Sequence, residues 1–220
     1  MPIPLTKKLS TYFGDSLRGL ILHWQNDYEK EFAGKRFGGL GTLVCGLPNL
    51  NRLSVWFNRS YTVRPNGITL DQFCAALNDH QALRWLDLNF DRDPNGSKGR
   101  TAIEGMKPFR LNLSRLLPRL ERLTLGCSTV EPITTILANA APKLRHLGLD
   151  CQHIYAEEIE ELATQNNGQL AKSVTSLALH GANAALFREV GAHFSQLKSL
   201  KLETRREIRA EPVVSITHLK

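Results

Sequence analysis

Two stretches decide the fold of this chain: LPRLERLTLGC at residues 117–127 and APKLRHLGLDC at residues 141–151. Both contain the pattern LxxLxL, in which apolar side chains fill the first, fourth and sixth positions. The pattern recurs between residues 17 and 202 at intervals of about 30 residues, which indicates a repeat architecture. The copies are Leu17-Leu20-Leu22, Leu50-Leu53-Val55, Leu83-Leu86-Leu88, Leu120-Leu123-Leu125, Leu144-Leu147-Leu149, Val174-Leu177-Leu179 and Leu197-Leu200-Leu202.

Each copy predicts a short β-strand, and several of the intervening segments predict helices. The apolar residues at the fourth and sixth positions alternate, which places both side chains on one side of a strand. The intervening segments carry apolar residues at spacings of three and four, as amphipathic helices do. These segments are residues 70–80, 132–141, 156–165 and 184–194. Alternation of strand and helix predicts an α/β fold.

The residues beside the strand leucines decide between two α/β arrangements. A doubly wound sheet is buried on both faces, so its strands are nearly continuous apolar runs. Here positions −1, +1 and +3, counted from the middle leucine of each copy, are often polar. They include Arg52, Asp87, Asn89, Arg122, Asp150, His180 and Lys201. One sheet face is therefore expected to meet solvent, which favours a solenoid with parallel strands on its concave face and helices on its convex face.

The repeats resemble those of leucine-rich repeat proteins. They are most similar to the long, cysteine-containing class of F-box/leucine-rich-repeat receptors and ribonuclease-inhibitor-like solenoids, which follows the pattern CPxLxxLxLxxC. Residues 45–55, CGLPNLNRLSV, and the two stretches quoted above match this pattern. The resemblance implies a leucine-rich-repeat horseshoe of about seven repeats over residues 17–202. Residues 1–16 are expected to be a lead-in without an F-box, and residues 203–220 a charged tail or a truncated further repeat.

The resemblance also implies a function. Solenoids of this class recognise proteins, so we expect a non-catalytic recognition module that binds a protein partner on its concave face. The F-box/leucine-rich-repeat likeness implies that this module is the substrate-binding part of a ubiquitin ligase receptor, with ligase subunits as further partners. A regulator similar to the ribonuclease-inhibitor-like solenoids is the second possibility within the class.

Two tryptophans mark the predicted binding site. Residues at one repeat position of a parallel sheet line up as a column, which places Trp56 and Trp85 on neighbouring strands with Arg52 and Arg122 nearby. Because Trp and Arg dominate interface energies, we predict a binding hot spot here. The alternative is that both tryptophans fold over a neighbouring loop and fill a gap. The predicted partner-binding residues are Arg52, Trp56, Trp85, Asn89, Arg122, His146, Asp150 and His180.

Charge and composition narrow the class of partner. Lys and Arg number 28 and Asp and Glu 21, and the net charge of +7 permits an acidic partner. The sequence has no RNP-like, KH-like or zinc-knuckle motif, which argues against nucleic acid. It contains neither an apolar run of about 18 residues nor a signal peptide, so no membrane partner is expected.

The cysteines predict the cellular setting. Cys45, Cys74, Cys127 and Cys151 form no metal-ligand cluster, and each lies in an apolar pattern that suits a buried side chain. We therefore expect a reduced, intracellular protein, either cytoplasmic or nuclear, without a metal ion or cofactor.

One enzyme alternative rests on three short motifs that resemble the blocks of GDSL (SGNH) hydrolases. The motifs are FGDSL at 13–17, ALND at 76–79 and DCQH at 150–153. The resemblance implies Ser16 as nucleophile and His153 as its base. It also implies that Asp150 orients the histidine and that Asn78 binds the oxyanion. In the repeat pattern, however, Ser16 and His153 lie about 19 Å apart, four strand spacings of 4.8 Å, so we predict no esterase activity.

Overall fold

The strands form where the repeat predicts them. The structure is a computed structural model, which describes residues 3–24, 40–57, 73, 75–90, 119–129, 143–180, 184–203 and 214–217. Each of the first seven strands begins one residue before the middle leucine of its copy. The strands are β1 Gly19–Trp24, β2 Arg52–Phe57, β3 Trp85–Phe90, β4 Arg122–Thr129, β5 His146–His153, β6 Ser176–His180, β7 Ser199–Glu203 and β8 Val214–Thr217.

All eight strands belong to one sheet, in which they neighbour one another in chain order. The strands β1 to β7 are parallel. The predicted α/β class, with a single sheet of seven parallel strands, is therefore confirmed. The order also lacks the reversal at which a doubly wound sheet changes direction.

The strand register pairs equivalent positions of successive copies. Middle leucines stand opposite one another in each parallel pair, as Leu53 does with Leu86. The N–H groups of Asn51 and Arg52 both donate to the Arg18 carbonyl, at 2.8 and 3.0 Å, and the same forked hydrogen bond precedes each of β3 to β7. Because β2 to β7 each start from an equivalent backbone contact, the predicted columns of side chains run across these strands.

One helix precedes β1, and others lie between strands. Those with defined bounds are α1 Ile3–Phe13, α2 Ala156–Ser173 and α3 Ala184–His193. The predicted helix at 184–194 corresponds to α3, and α2 extends past the predicted end at residue 165 as far as Ser173. Residues 75–79 are helical within the predicted segment 70–80, whereas the predicted helix at 132–141 lies outside the described residues.

The hydrophobic core lies between the sheet and the helices. The middle leucines of β2 to β6 are at most 2% exposed, and they are Leu53, Leu86, Leu123, Leu147 and Leu177. Leu162 of α2 and Leu186 of α3 belong to the same cluster. Burying one such side chain contributes about 1.5–3 kcal/mol. The helices therefore cover one face of the sheet, and positions −1, +1 and +3 point to the other face.

Two elements lie outside the repeat pattern. Helix α1 occupies the predicted lead-in, and its Leu9 packs against the core. It approaches Gly46 so closely that a Cβ at that glycine would lie 2.5 Å from Ser10 Cβ. Within residues 203–220, Val214–Thr217 forms β8, which pairs antiparallel with β7. Among the described residues, β8 is the one strand that runs antiparallel to its neighbour.

Candidate protein-binding face

The face of the sheet opposite the helices, which we call the polar face, carries positions −1, +1 and +3 of each repeat. The register places Arg52, Trp85 and Arg122 side by side in the −1 column. In the +3 column, Trp56 stands beside Asn89. The sheet therefore brings the predicted hot-spot residues together on adjacent strands.

Trp85 lies between two arginines on the polar face. The guanidinium carbon of Arg52 is 3.7 Å from the centre of the Trp85 ring, and that of Arg122 is 4.2 Å away. Arg52 reaches the ring from β2 and Arg122 from β4, on either side of β3. Each contact has cation–π geometry, which attracts a guanidinium to the ring face. The three side chains thus form a stack across three strands, which we call the Arg–Trp–Arg stack.

Trp56 is exposed, but its orientation is fixed. Its side chain is 44% exposed, and its ring stacks on His23 with centroids 5.7 Å apart. The indole Nε1–H donates to Ser54 Oγ at 3.0 Å, and the Ser54 hydroxyl donates to Asp87 Oδ2 at 3.0 Å. Ser54 is buried, so this chain of hydrogen bonds anchors the exposed indole from below.

The sequence-based prediction did not include His23, Ser54 and Asp87 in the site. All three occupy positions +1 or +3, and the register pairs Ser54 with Asp87 and His23 with Trp56. Their positions in the repeat could therefore have placed them in the site from the sequence alone. The hydrogen bonds were not predictable from spacing, since they depend on side-chain rotamers.

Two groups on the polar face have shifted pKa values. Burial raises the pKa of Asp87 above its ordinary value of 3.8, against the opposing effects of the Ser54 hydrogen bond and of Arg122 and Arg52. Partial burial lowers the pKa of His146 below 6.5, Arg122 lowers it further, and Glu121 opposes both. Both shifts favour the neutral form of the side chain, as burial does.

Of the remaining predicted residues, Asn89 lies on β3, whereas His146, Asp150 and His180 lie on β5 and β6. Asp150 and His180 are register partners on β5 and β6, and Asp150 Oδ1 lies 3.7 Å from His180 Nδ1. Asn89 lies over Gly126, where a Cβ would come within 2.6 Å of its Oδ1. We call the polar-face residues of β1–β4 the aromatic half and those of β5–β7 the histidine half. His146 belongs to the histidine half, next to Arg122.

The residues of the esterase alternative are spread across the sheet. Ser16 precedes β1, and its hydroxyl donates to the Phe13 carbonyl at 3.4 Å. His153 ends β5, and β2, β3 and β4 lie between these two strands. The backbones of these two strands are thus four strand spacings apart, about 19 Å. Asn78 is buried in the helical layer, where its backbone carbonyl accepts a hydrogen bond from the Arg119 guanidinium.

The described residues also bear on membrane and metal binding and on one cysteine. Among them, no helix has both the length and the apolar character that a membrane span requires. Nor do these residues include a group of three or more His, Cys, Asp or Glu side chains that could hold a metal ion. Cys45 is a free thiol on the surface, which corrects the expectation that it would be buried.

Comparisons with known proteins provide no family assignment. No protein-family model matches the chain, and no curated protein matches it. The case for a function therefore rests on the geometry of the polar face.

Proposed function

We propose that the chain is a leucine-rich-repeat solenoid of the cysteine-containing, ribonuclease-inhibitor-like class. Three features support this proposal: seven parallel strands in chain order, one leucine register through all of them, and helices on a single face. In such a solenoid the polar face would line the concave surface and the helices the convex one. In such a stack, each repeat would bury its apolar face against its neighbours.

The proposed activity is recognition of a protein partner without catalysis. The observation that carries it is the Arg–Trp–Arg stack, in which a tryptophan is held between two guanidiniums on a solvent-facing sheet. Trp and Arg are the residues most enriched in interface hot spots. Side chains that are already ordered lose less conformational entropy when a partner binds, which favours affinity.

The mechanism is display of fixed side chains. The Ser54 hydrogen bond holds the exposed Trp56, and the two arginines hold Trp85, so a partner meets a surface that is already arranged. By its resemblance to F-box/leucine-rich-repeat receptors, we propose that the surface selects the substrate of a ubiquitin ligase. An intracellular setting, cytoplasmic or nuclear, belongs to this proposal.

Affinity purification from cell extract, quantified by mass spectrometry, tests the proposal. The wild-type chain is compared with Trp56→Ala/Trp85→Ala and with the control Tyr155→Ala/Phe187→Ala, which removes two exposed aromatics from the helical side. Truncating hot-spot residues worth 2 kcal/mol weakens binding about 30-fold. We expect a partner that the wild type and the control retain and the tryptophan variant loses.

Two results would overturn the proposal. One is a set of bound proteins that is identical for the folded tryptophan variant and the wild type. The other is hydrolysis of p-nitrophenyl acetate by the wild type that disappears in Ser16→Ala. Co-purification of ligase adaptor subunits with the partner would support the ubiquitin ligase context.

A further inference from the structure

The aromatic half combines cationic and aromatic groups in one place. Arg52 and Arg122 each place a guanidinium over the Trp85 ring, and the exposed Trp56 lies on the same side of the sheet. Asp87 contributes one carboxyl group against these two guanidiniums, and both arginines interact with it electrostatically. The balance of charge around the stack is therefore positive, and it complements a carboxylate-bearing partner.

The arginines remain able to bind an anion while they stack. A guanidinium that lies over an indole ring uses its face for that contact and keeps its N–H groups at its edge. Arg122 is exposed and Arg52 is partly exposed, so an incoming anion can approach both side chains. A carboxylate could thus add charge-assisted hydrogen bonds without displacing the tryptophan.

The spacing of the arginines fits an extended peptide. Arg52 and Arg122 lie on strands two positions apart, which places their backbones about 9.6 Å apart, and the shared ring draws their guanidiniums closer. An extended chain rises about 3.3 Å per residue, so side chains two or three residues apart span about 6.6–9.9 Å. Two such acidic side chains could reach both arginines at once.

We propose that the polar face binds an acidic, extended segment of its protein partner, with two carboxylates two or three residues apart on Arg52 and Arg122. This inference rests on the recognition function proposed above and names the chemistry of the partner. The segment lies across β2, β3 and β4, and its backbone passes over Trp85. An apolar side chain beyond the acidic pair reaches Trp56.

The carboxylates of the polar face favour a peptide over a nucleic acid. Asp87 and Asp150 stand on the same face as the arginines. A nucleic-acid backbone requires a basic groove that tracks successive phosphates. A peptide can place two acidic side chains on the two arginines without bringing further negative charge close to Asp87 and Asp150. A run of phosphates would be repelled by these two carboxylates.

Selection from a phage-displayed library of random 12-residue peptides on the immobilised full chain tests the inference. We expect enriched peptides to carry Asp or Glu pairs at spacings of two or three. A synthetic peptide from the selection should bind at least 10-fold more weakly when its acidic pair is replaced by Asn or Gln. The unmodified peptide should bind the protein variant Arg52→Gln/Arg122→Gln more weakly by a similar factor. It should bind Arg188→Gln, which changes an exposed arginine on the helical side, with unchanged affinity.

The possible failures are distinguishable. Neutral or basic peptides that need Trp56 and Trp85 but ignore both arginines would overturn the acidic segment and leave the recognition function intact. Failure to select any binding peptide would contradict the acidic segment alone, because a folded partner could still bind the polar face in the affinity purification. A labelled 12-nucleotide oligouridine that binds these arginines more tightly than the acidic peptides would overturn the peptide in favour of RNA.

Discussion

The aromatic half and the histidine half of the polar face share one backbone framework and differ in the side chains that it carries. Both halves have parallel strands in the same register, with buried middle leucines. The aromatic half carries the Arg–Trp–Arg stack and the anchored Trp56. The histidine half carries His146 and the Asp150–His180 pair, with small residues such as Ser176 and Ala178 between them.

This difference distinguishes the leucines, which build the fold, from the polar-face residues, to which we assign the proposed function. The leucine positions repeat because each strand must bury two apolar side chains against the helices. Positions −1, +1 and +3 carry no such constraint, so they can differ from repeat to repeat. The concentration of large aromatic and cationic groups over β1–β4 is therefore the feature that calls for a functional explanation.

The largest expected effect is on the shared framework. Leu86→Ala in the aromatic half and Leu177→Ala in the histidine half should each lower the free energy of unfolding by about 2–5 kcal/mol, because each leaves a cavity in the core. Urea unfolding followed by circular dichroism measures both changes. Ile21→Ala, at a residue that is 55% exposed, is the control and should change stability by less than about 0.5 kcal/mol. A large loss in only one half would break the equivalence of the two frameworks.

The next effect separates the two halves. Ser54→Ala removes the acceptor of the Trp56 indole N–H and the donor to Asp87, and should lower the free energy of unfolding by about 1–3 kcal/mol. It should also release the Trp56 indole, which fluorine NMR of the chain labelled with 5-fluorotryptophan detects as a sharper Trp56 resonance, assigned by its loss in Trp56→Phe. Ser176→Ala, a serine-to-alanine change in the histidine half, is the matched control. Unchanged Trp56 motion in Ser54→Ala would show that the hydroxyl does not anchor the indole.

A smaller effect concerns the charge beneath the aromatic half. The pKa of Asp87 is raised above 3.8, so the folded chain keeps the proton at pH values where the unfolded chain has lost it. The contribution of Asp87 to stability therefore falls as pH rises through the interval above 3.8. Asp87→Asn lacks this loss and keeps an acceptor for Ser54. The free energy of unfolding of Asp87→Asn minus that of the wild type should therefore increase as the pH is raised from 3.5 to 6.5. A difference that stays constant over this range would contradict the raised pKa of Asp87.

The smallest effect is expected at His146, where the two halves meet. Its pKa is lowered below 6.5, so the unfolded chain takes up the proton first as the pH falls. The contribution of His146 is present above pH 6.5 and is lost as the pH falls through the interval below it. In urea unfolding, the free energy of unfolding of His146→Gln minus that of the wild type should increase as the pH falls from 7.5 to 5.5. The opposite trend would indicate that the folded chain stabilises the imidazolium.

The leucine pattern made most of the fold predictable. Two alternating apolar residues per copy mark strands whose side chains must be buried together, and β1 to β7 all begin one residue before the predicted middle leucine. The columns that bring Arg52, Trp85 and Arg122 together follow from this register. That part of the candidate site was predictable because it depends on backbone pairing alone.

The remaining features depend on contacts that no local pattern encodes. Helix α1 is positioned by its close approach to Gly46, and β8 by its pairing with β7. Cys45 lies in a helical stretch whose apolar neighbours Leu43 and Val44 are buried while its own side chain is exposed. The anchoring of Trp56 by Ser54 depends on rotamers of residues that the repeat leaves free to vary.

Photo-crosslinking in cells tests the central claim most directly, namely that the aromatic half contacts a protein partner. p-Benzoylphenylalanine replaces Ile21, an exposed residue of β1 in the aromatic half, in one variant and Phe187, an exposed aromatic of α3, in the other. Both changes put the crosslinker at an exposed apolar side chain and leave Arg52, Trp56, Trp85 and Arg122 in place. We predict a crosslinked protein from position 21 and none from position 187. Crosslinks from position 187 alone, or from neither position, would contradict recognition through the aromatic half.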